Sequence, residues 1–407
     1  MSVLEAAEPT FLAERRARGA AAASTMPVPQ FRGTPGWEFT PIDAIDLDSF
    51  VAVAAGDIAT VAEPVFSFDG AATPDGTEEV SEGPIVLPLA VAAQRHPELV
   101  QQHLGSVVHD SIITARNDAM WTDGTFVYVP RGVTLDAPIL LSTVHEESGS
   151  ALYHRTLIVL EDQAEAEVWD QTLSADGETE GLVNGVVELV VGAGARLRYV
   201  GAQDLSEKTW VFGAQRATVA RDATLDWITL GFGSGNGKVF LETELAGPGA
   251  HAKVTGAYAT EGRQHLDFDT LQTHAAPNCV SDLAFRGILT GRSSAVWRGM
   301  IKVDEGAQQT DGFQECRNLL IGKKAHADAI PGLEILADDV RCTHAAAIAQ
   351  VDPDQIFYLR ARGLDERSAN RLVIEGFLQA LVERFADGPL HDAVATAIDR
   401  RLERVLG

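Results

Sequence analysis

The chain has 407 residues, of which 45% are hydrophobic and 22% are charged, as in ordinary globular proteins. Its formal net charge of −26 excludes a broad surface for nucleic acid or anionic membrane, because phosphates repel it. The three cysteines, Cys279, Cys316 and Cys342, are too few for a disulfide framework and predict reduced thiols. The start lacks the apolar core of a signal peptide, and no apolar run is long enough to cross a membrane, so we expect a cytoplasmic protein.

The first predicted region, residues 1–106, is helical with loops. Residues 4–24 are rich in helix-forming residues, and residues 43–57 have the pattern of a short amphipathic helix. Between them, MPVPQFRGTPGWEFT (26–40) contains three prolines and two glycines, which predicts an extended connector. This region is a candidate small domain.

The second predicted region, residues 107–351, is a long β body. Short strand-like runs follow one another and are separated by small-residue turns of similar shape. An alanine recurs in these turns with a period of roughly 30 residues, broken by one longer interval after Ala250. The alanines are Ala164, Ala195, Ala223, Ala250, Ala295 and Ala325. A repeated unit of this size that cannot bury its own apolar face predicts stacked coils, a β-solenoid. A β-sandwich is the alternative, because its strands also recur at short intervals.

The third predicted region, residues 352–407, is helical. Asp352, which precedes a proline, predicts a helix start with Gln355 as capping-box partner, and Gly363 predicts its end. Asp365 predicts the cap of a second helix, and a glycine and a proline separate that helix from a last amphipathic one. The apolar residues of the second helix recur at three- and four-residue steps: Ala369, Leu372, Val373, Phe377, Ala380, Leu381 and Phe385.

Cys342 and His344 are the first candidates for chemistry. They are two residues apart in a strand-like segment, so their side chains point to the same face. A thiolate and an imidazole suit iron, zinc or an iron–sulfur cluster. Cys316 precedes Cys342 by close to one repeat, so stacked coils would bring these two thiols together, with His326 nearby. The alternatives are a satisfied structural pair and, for Cys316, a small buried apolar side chain.

Motifs of self-sufficient enzymes are missing from the sequence. The stretch GFGSGNGKV (231–239) does not fit a phosphate loop, because Phe232 stands where a glycine is needed and Val239 where Ser or Thr is needed. GxSxG, HExxH and CxxC also do not occur. We therefore predict a turn at 231–239, no nucleotide bound by this chain, and no enzymatic activity.

Several stretches resemble one family. GLEILADDVRCTHAAAIAQVDPDQIFYLRARGL (332–364), preceded by RNLLIGKKAHADAIP (317–331), is similar to the C-terminal signature of the SufB/SufD family. The similarity favours the SufD branch, whose members are subunits of the SufBCD iron–sulfur cluster assembly complex. WTDGTFVYVPRGVTLDAPI (121–139) and PGWEFTPI (35–42) resemble the start of the family's β body and its N-terminal segment.

The resemblance implies a fold, partners and a site. The fold is a right-handed parallel β-helix flanked by N-terminal and C-terminal helical regions. The partners are a SufB-like paralogue, which pairs through the β-helix ends, and SufC, an ABC-type ATPase that docks on the C-terminal helices. His344, with Cys342 beside it, is implied to hold a transient iron–sulfur cluster at the subunit interface. We expect five residues to contact the ATPase: Asp354, Gln355, Phe357, Tyr358 and Arg360.

Two departures from the SufD pattern leave alternatives open. Cys316 stands where SufD proteins commonly have asparagine and matches a SufB cysteine, which makes it a third candidate ligand. The acidic residues that flank the histidine in SufB are replaced by Thr343 and Ala345. The main hypothesis is a scaffold subunit paired with a SufB-like subunit. The alternatives are a homodimeric SufB/SufD-like scaffold, a β-helical carbohydrate-active enzyme and a β-helical protein with a purely structural role.

Overall fold

The computed structural model describes residues 8–68, 71–74, 83–385 and 388–406. Within these residues, sheet A has ten strands: β1 (Val51–Val53), β2 (Ile85–Pro88), β3 (Asp123–Val129), β5 (Ser150–Leu160), β7 (Gly181–Val191), β9 (Thr209–Val219), β11 (Asn236–Leu245), β13 (His265–His274), β15 (Ser294–Val303) and β17 (His326–Ile335). Sheet B has eight: β4 (Ile139–His145), β6 (Glu165–Ser174), β8 (Arg196–Asp204), β10 (Thr224–Gly231), β12 (His251–Thr260), β14 (Val280–Leu289), β16 (Thr310–Leu320) and β18 (Val340–Gln350).

Successive strands from β3 to β18 alternate between the two sheets, and each strand pairs in parallel with the strand two places on. Two strands therefore make one coil, and about eight coils stack into a parallel β-solenoid. The inward side chains of both sheets form one apolar core between them. The predicted solenoid is confirmed, and the β-sandwich alternative is wrong, because a sandwich is built from antiparallel strands.

The repeated alanines lie at the corners of the coils or, for Ala295, one residue into the following strand; the first five are buried and Ala325 is partly buried. The first four precede strands of sheet B, whereas Ala295 lies in β15 and Ala325 precedes β17, both in sheet A. Cys279 occupies the next corner position after Ala250 and is also buried. The longer interval in the sequence therefore does not reflect an inserted segment. The interval is longer because Ala250 lies at a corner that precedes sheet B, whereas Ala295 lies at the start of a strand of sheet A. At the sheet B corner between them, Cys279 stands in place of alanine.

The N-terminal region covers the outer face of sheet A with four helices: α1 (Thr10–Thr25), α2 (Leu89–Arg95), α3 (Pro97–His103) and α4 (Ile112–Met120). The connector at 26–40 contains turns and neither helix nor strand, as predicted. Its Trp37 packs against Phe212 and Phe240, with ring centroids 5.9 Å away in each case. The N-terminal residues thus share an apolar core with sheet A.

Two predictions for this part of the chain are wrong. Residues 43–57 form no amphipathic helix, because Val51 and Val53 are β-branched and β1 finds hydrogen-bonding partners along β5. Residues 112–120, which the sequence placed in the β body, form α4, whose N-cap Ser111 makes a capping box with Thr114. The division of the chain at residues 106 and 351 stays a prediction.

The C-terminal region forms the three predicted helices, α5 (Pro353–Ala361), α6 (Glu366–Val382) and α7 (Pro389–Leu406). Asp352 caps α5 by accepting the Asp354 N–H at 2.9 Å, and Asp365 caps α6 by accepting the Ser368 N–H at 2.7 Å. Gly363 follows α5 at a φ of +101°, which favours glycine. Of the described helices, none is long and apolar enough to cross a membrane.

The helices α6 and α7 pack on the outer face of sheet B. The buried side of α6 is centred on Ile374, Leu378 and Leu381. Leu372, which the sequence placed in the apolar stripe, is 50% exposed. The stripe is rotated because α6 must meet both α7 and the strand β14.

Candidate functional site

The solenoid stops at β17 and β18, the last strands of sheets A and B. In the described part of the chain no strand lies beside their outer edges. Leu336 and Ile348 are 55% and 45% exposed there, whereas Asn318, which pairs with Ile348 in the preceding coil, is buried. We call β17, β18 and the connecting residues 336–339 the open end. Unpaired strand edges next to exposed apolar side chains are typical of a surface that pairs with another protein.

Cys342 and His344 both lie on the inward face of β18, as their spacing predicts. In the parallel register Cys342 pairs with Gly312, and His344 pairs with Gln314. Cys342 is half-buried beside the apolar cluster of Ile301, and this burial raises the pKa of its thiol. His344 is exposed. The open end thus offers a thiol and an imidazole on neighbouring inward positions of its last strand.

Cys316 is placed differently from the prediction. It pairs with Ala346, which follows Cys342 by four positions, so the coil here is longer than the spacing of the two cysteines. The two cysteines are therefore about 13 Å apart along the strand direction, and the predicted contact between their thiols is wrong. His344 is only two positions from Ala346, which leaves roughly 8 Å between the Cα atoms of Cys316 and His344.

His326 is also not beside Cys316. It is exposed on β17, and its Nε2 is 3.0 Å from the Asp328 carboxylate. Its neighbour Ala327 is buried in the core, so His326 points to the outer face of the sheet. Among the residues that the structure describes, no three His, Cys, Asp or Glu side chains are grouped to hold a metal ion.

The surroundings of Cys316 include two residues that sequence reasoning missed. Cys316 is 0% exposed, and burial raises the pKa of its thiol to about 12. The Tyr258 hydroxyl donates to Asn318 Oδ1, which turns the Asn318 amide nitrogen toward the Cys316 sulfur, 3.5 Å away. Tyr258 lies two coils before Asn318 in the parallel register, with Gly287 between them, so applying the repeat twice would have identified it. At neutral pH this sulfur is a protonated thiol.

The helix α5 presents the residues predicted to contact an ATPase. It has no buried residue, and Phe357 and Tyr358 are 73% and 57% exposed. Asp354, Gln355 and Arg360 are exposed or partly exposed as well. Two large aromatic side chains on one exposed helix are typical of a protein-binding surface.

The glycine-rich stretch at 231–239 is a corner of the solenoid. β10 ends at Gly231 and β11 begins at Asn236, so a strand follows the glycines. A phosphate loop uses the N–H groups at the start of a helix, and this corner has none. The predicted turn is confirmed.

Comparison with known families covers most of the chain. Residues 143–377 match the SufBD core domain of the SUF system for FeS cluster assembly. Residues 63–141 match the SufBD protein N-terminal region. The two matches together include the solenoid, the open end and the helix α5.

Individual relatives come from both branches of this family. The chain is 29% identical to the iron–sulfur cluster assembly protein SufD of Bacillus subtilis, over 79% of this chain and 75% of the relative. It is 28% identical to SufB of the same organism, over 71% of this chain and 62% of the relative. An iron–sulfur cluster assembly SufBD family protein of Mycobacterium tuberculosis is 30% identical over 82% of this chain and 83% of the relative. The chain therefore belongs to the SufB/SufD family of iron–sulfur cluster assembly proteins.

Proposed function

We propose that the chain is a non-catalytic scaffold subunit on which an iron–sulfur cluster is built, and that its open end pairs with a second solenoid of the same family. The observation that carries the proposal is the open end, where the last strand β18 carries Cys342, His344 and the exposed Ile348 on its inward face, and Leu336 is exposed in the connection before it. Pairing would cover the apolar side chains and satisfy the strand edges. The partner is a SufB-like paralogue. A second copy of this chain is the alternative, because the chain is 28% identical to SufB as well as 29% identical to SufD.

Cys342 and His344 are the proposed ligands of the nascent cluster, which is the cargo of the assembly. Thiolate and neutral imidazole are established ligands of iron–sulfur clusters, and the remaining ligands would come from the partner. Cys316 is a third proposed ligand. Since its thiol is buried and its pKa is raised, it would act only when β18 moves away from β16. Such movement is consistent with a cluster that is held transiently.

The proposed site for a SufC-type ABC ATPase is the exposed face of α5, formed by the five residues named above. The ATPase would supply nucleotide hydrolysis, and this chain would bind no nucleotide. We place the complex in the cytoplasm, where three unpaired cysteines stay reduced.

The test of this function is the substitution His344→Ala in the complete complex. Because His344 is exposed, its removal should change the melting temperature and the yield of complex little. Iron and sulfide bound per complex after anaerobic reconstitution should fall severalfold, because a ligand is lost. His109→Ala, which removes an exposed histidine that lies beside Glu242 of β11 and not in the open end, is the matched control. An intact complex with undiminished cluster would exclude His344 as a ligand.

A further inference from the structure

Three successive corners of the solenoid carry an exposed cation directly after a glycine. These corners join sheet B to sheet A and have the sequences EGRQ (261–264), TGRS (290–293) and IGKKA (321–325). They supply four exposed side chains: Arg263, Arg292, Lys323 and Lys324. We call these four residues the basic ladder.

The corners stack on one another through their glycine backbones. The Arg292 N–H donates to the Gly262 carbonyl at 2.9 Å. A Cβ added at Gly322 would lie 2.7 Å from the Gly291 nitrogen, so a side chain at that position would disturb the stack. Coils in such a solenoid are about 4.8 Å apart, and two steps therefore place the cations along a ridge of roughly 10 Å.

No cation of the ladder forms an ion pair with a carboxylate among the described residues, although Glu207 lies next to Gly262 of the first corner. Many other exposed cations are paired, as Lys208 is with Glu178. On the first corner, Glu261 already forms an ion pair with Arg401 of α7, at 3.0 Å. Beyond the last corner, the Asp352 carboxylate already accepts a hydrogen bond as the N-cap of α5. Like charges at this spacing repel one another, so the ladder does not help the chain to fold.

We propose that the basic ladder binds a short acidic segment of a partner protein, laid along the solenoid axis. The ridge is about three extended residues long, which fits a short acidic segment. A nucleic acid fits less well, since a longer polyanion would extend over the rest of a chain whose net charge is −26. This surface uses none of the residues proposed above for the cluster or the ATPase, and it adds a further partner site.

The test measures binding of fluorescein-labelled decaglutamate to the full-length chain by fluorescence anisotropy. The unaltered chain should bind the peptide, and added sodium chloride should weaken binding because exposed charge pairs are screened. The triple substitution R263Q, R292Q and K323Q should weaken binding about tenfold, as three exposed ion pairs are lost. The matched control is R18Q, R131Q and R221Q, which removes three exposed cations elsewhere and should change binding less than about twofold.

Two other kinds of outcome would overturn the proposal. Absence of binding by the unaltered chain, or equal weakening in the ladder variant and the control, would mean that the ladder is no binding site. Tighter binding of a labelled thymidine decanucleotide than of decaglutamate would assign the surface to nucleic acid instead. All substituted side chains are exposed, so circular dichroism melting should be unchanged and would separate a folding defect from lost binding.

Discussion

Cys342 and Cys316 face the same interior, but they differ in what covers them. Cys316 is enclosed by Tyr258, Asn318 and the β18 backbone, whereas Cys342 lies in the last coil, with no further strand over it in the described residues. Burial raises the pKa of both thiols, and for Cys316 it raises the pKa to about 12. Because the thiolate is the reactive form, the more deeply buried thiol, Cys316, should react more slowly than Cys342.

This difference predicts one accessible thiol in the native chain. Cys342 should react with Ellman's reagent, and its rate should rise with pH as more thiolate forms. Cys279 and Cys316, both 0% exposed, should react only after denaturation in guanidinium chloride. The substitution Cys342→Ser should remove the native reaction, and Cys316→Ser should leave it in place. A fast native reaction that Cys316→Ser abolishes would mean that the last coil opens readily in solution.

At the scale of elements, α5 stands apart from the other C-terminal helices. α6 and α7 are held by apolar packing on sheet B, whereas α5 buries none of its residues. Its ends are fixed locally, by the Asp352 cap and by Gly363 in a left-handed conformation. A helix that contributes so little to the core is free to present its aromatic side chains to a partner.

For α5 we predict that Phe357→Ala with Tyr358→Ala abolishes co-purification with a SufC-type ATPase. Two central aromatic contacts contribute about 2 kcal/mol each to such interfaces, so affinity should fall by roughly a thousandfold. The melting temperature should not change, because both side chains are exposed. Val28→Ala with Ile58→Ala removes exposed apolar side chains elsewhere and is the control. Retained ATPase binding in the α5 variant would place the docking site on another surface.

At the scale of the whole molecule, the two ends of the solenoid differ in how their strands are covered. At the N-terminal end β2 pairs antiparallel with β3, and α2 packs beside them, so the first coil is covered. At the other end the described chain turns from β18 into α5 and leaves the strand edges uncovered. Within the described residues the solenoid is thus capped on one side only, which agrees with the pairing proposed for the other side.

We predict that charge at the open end prevents this pairing. Leu336→Lys with Ile348→Lys would bury unpaired ammonium groups in the interface, and affinity for the partner solenoid should fall about a hundredfold or more. Analytical ultracentrifugation of the chain, alone and with a SufB-like partner, measures the effect. Val51→Lys places the same charge at an exposed valine in the N-terminal region and should leave pairing intact. Unchanged association of the double variant would show that the open end is not the interface.

The amino-acid sequence by itself determined the fold class, the order of the regions and the face shared by Cys342 and His344. These features depend on local periodicity, on turn residues and on the two-residue alternation of a strand, all of which can be read along the chain. The motifs at residues 317–364, which lie inside the SufBD core match, also carry the family resemblance in the sequence alone.

Only the tertiary structure decided which residues of different coils meet. The parallel register of β16 and β18 places Cys316 beside Ala346, and a difference of four positions along β18 separates it from Cys342. Residues 51–53 became a strand because β5 offered an edge, which no local pattern reveals. Likewise, the exposure of Ile348 depends on where the stack of coils ends, because Asn318, its partner in the preceding coil, is buried. Long-range register and burial are properties of the assembled coils, and for that reason the neighbourhood of the candidate site could not be obtained from spacing alone.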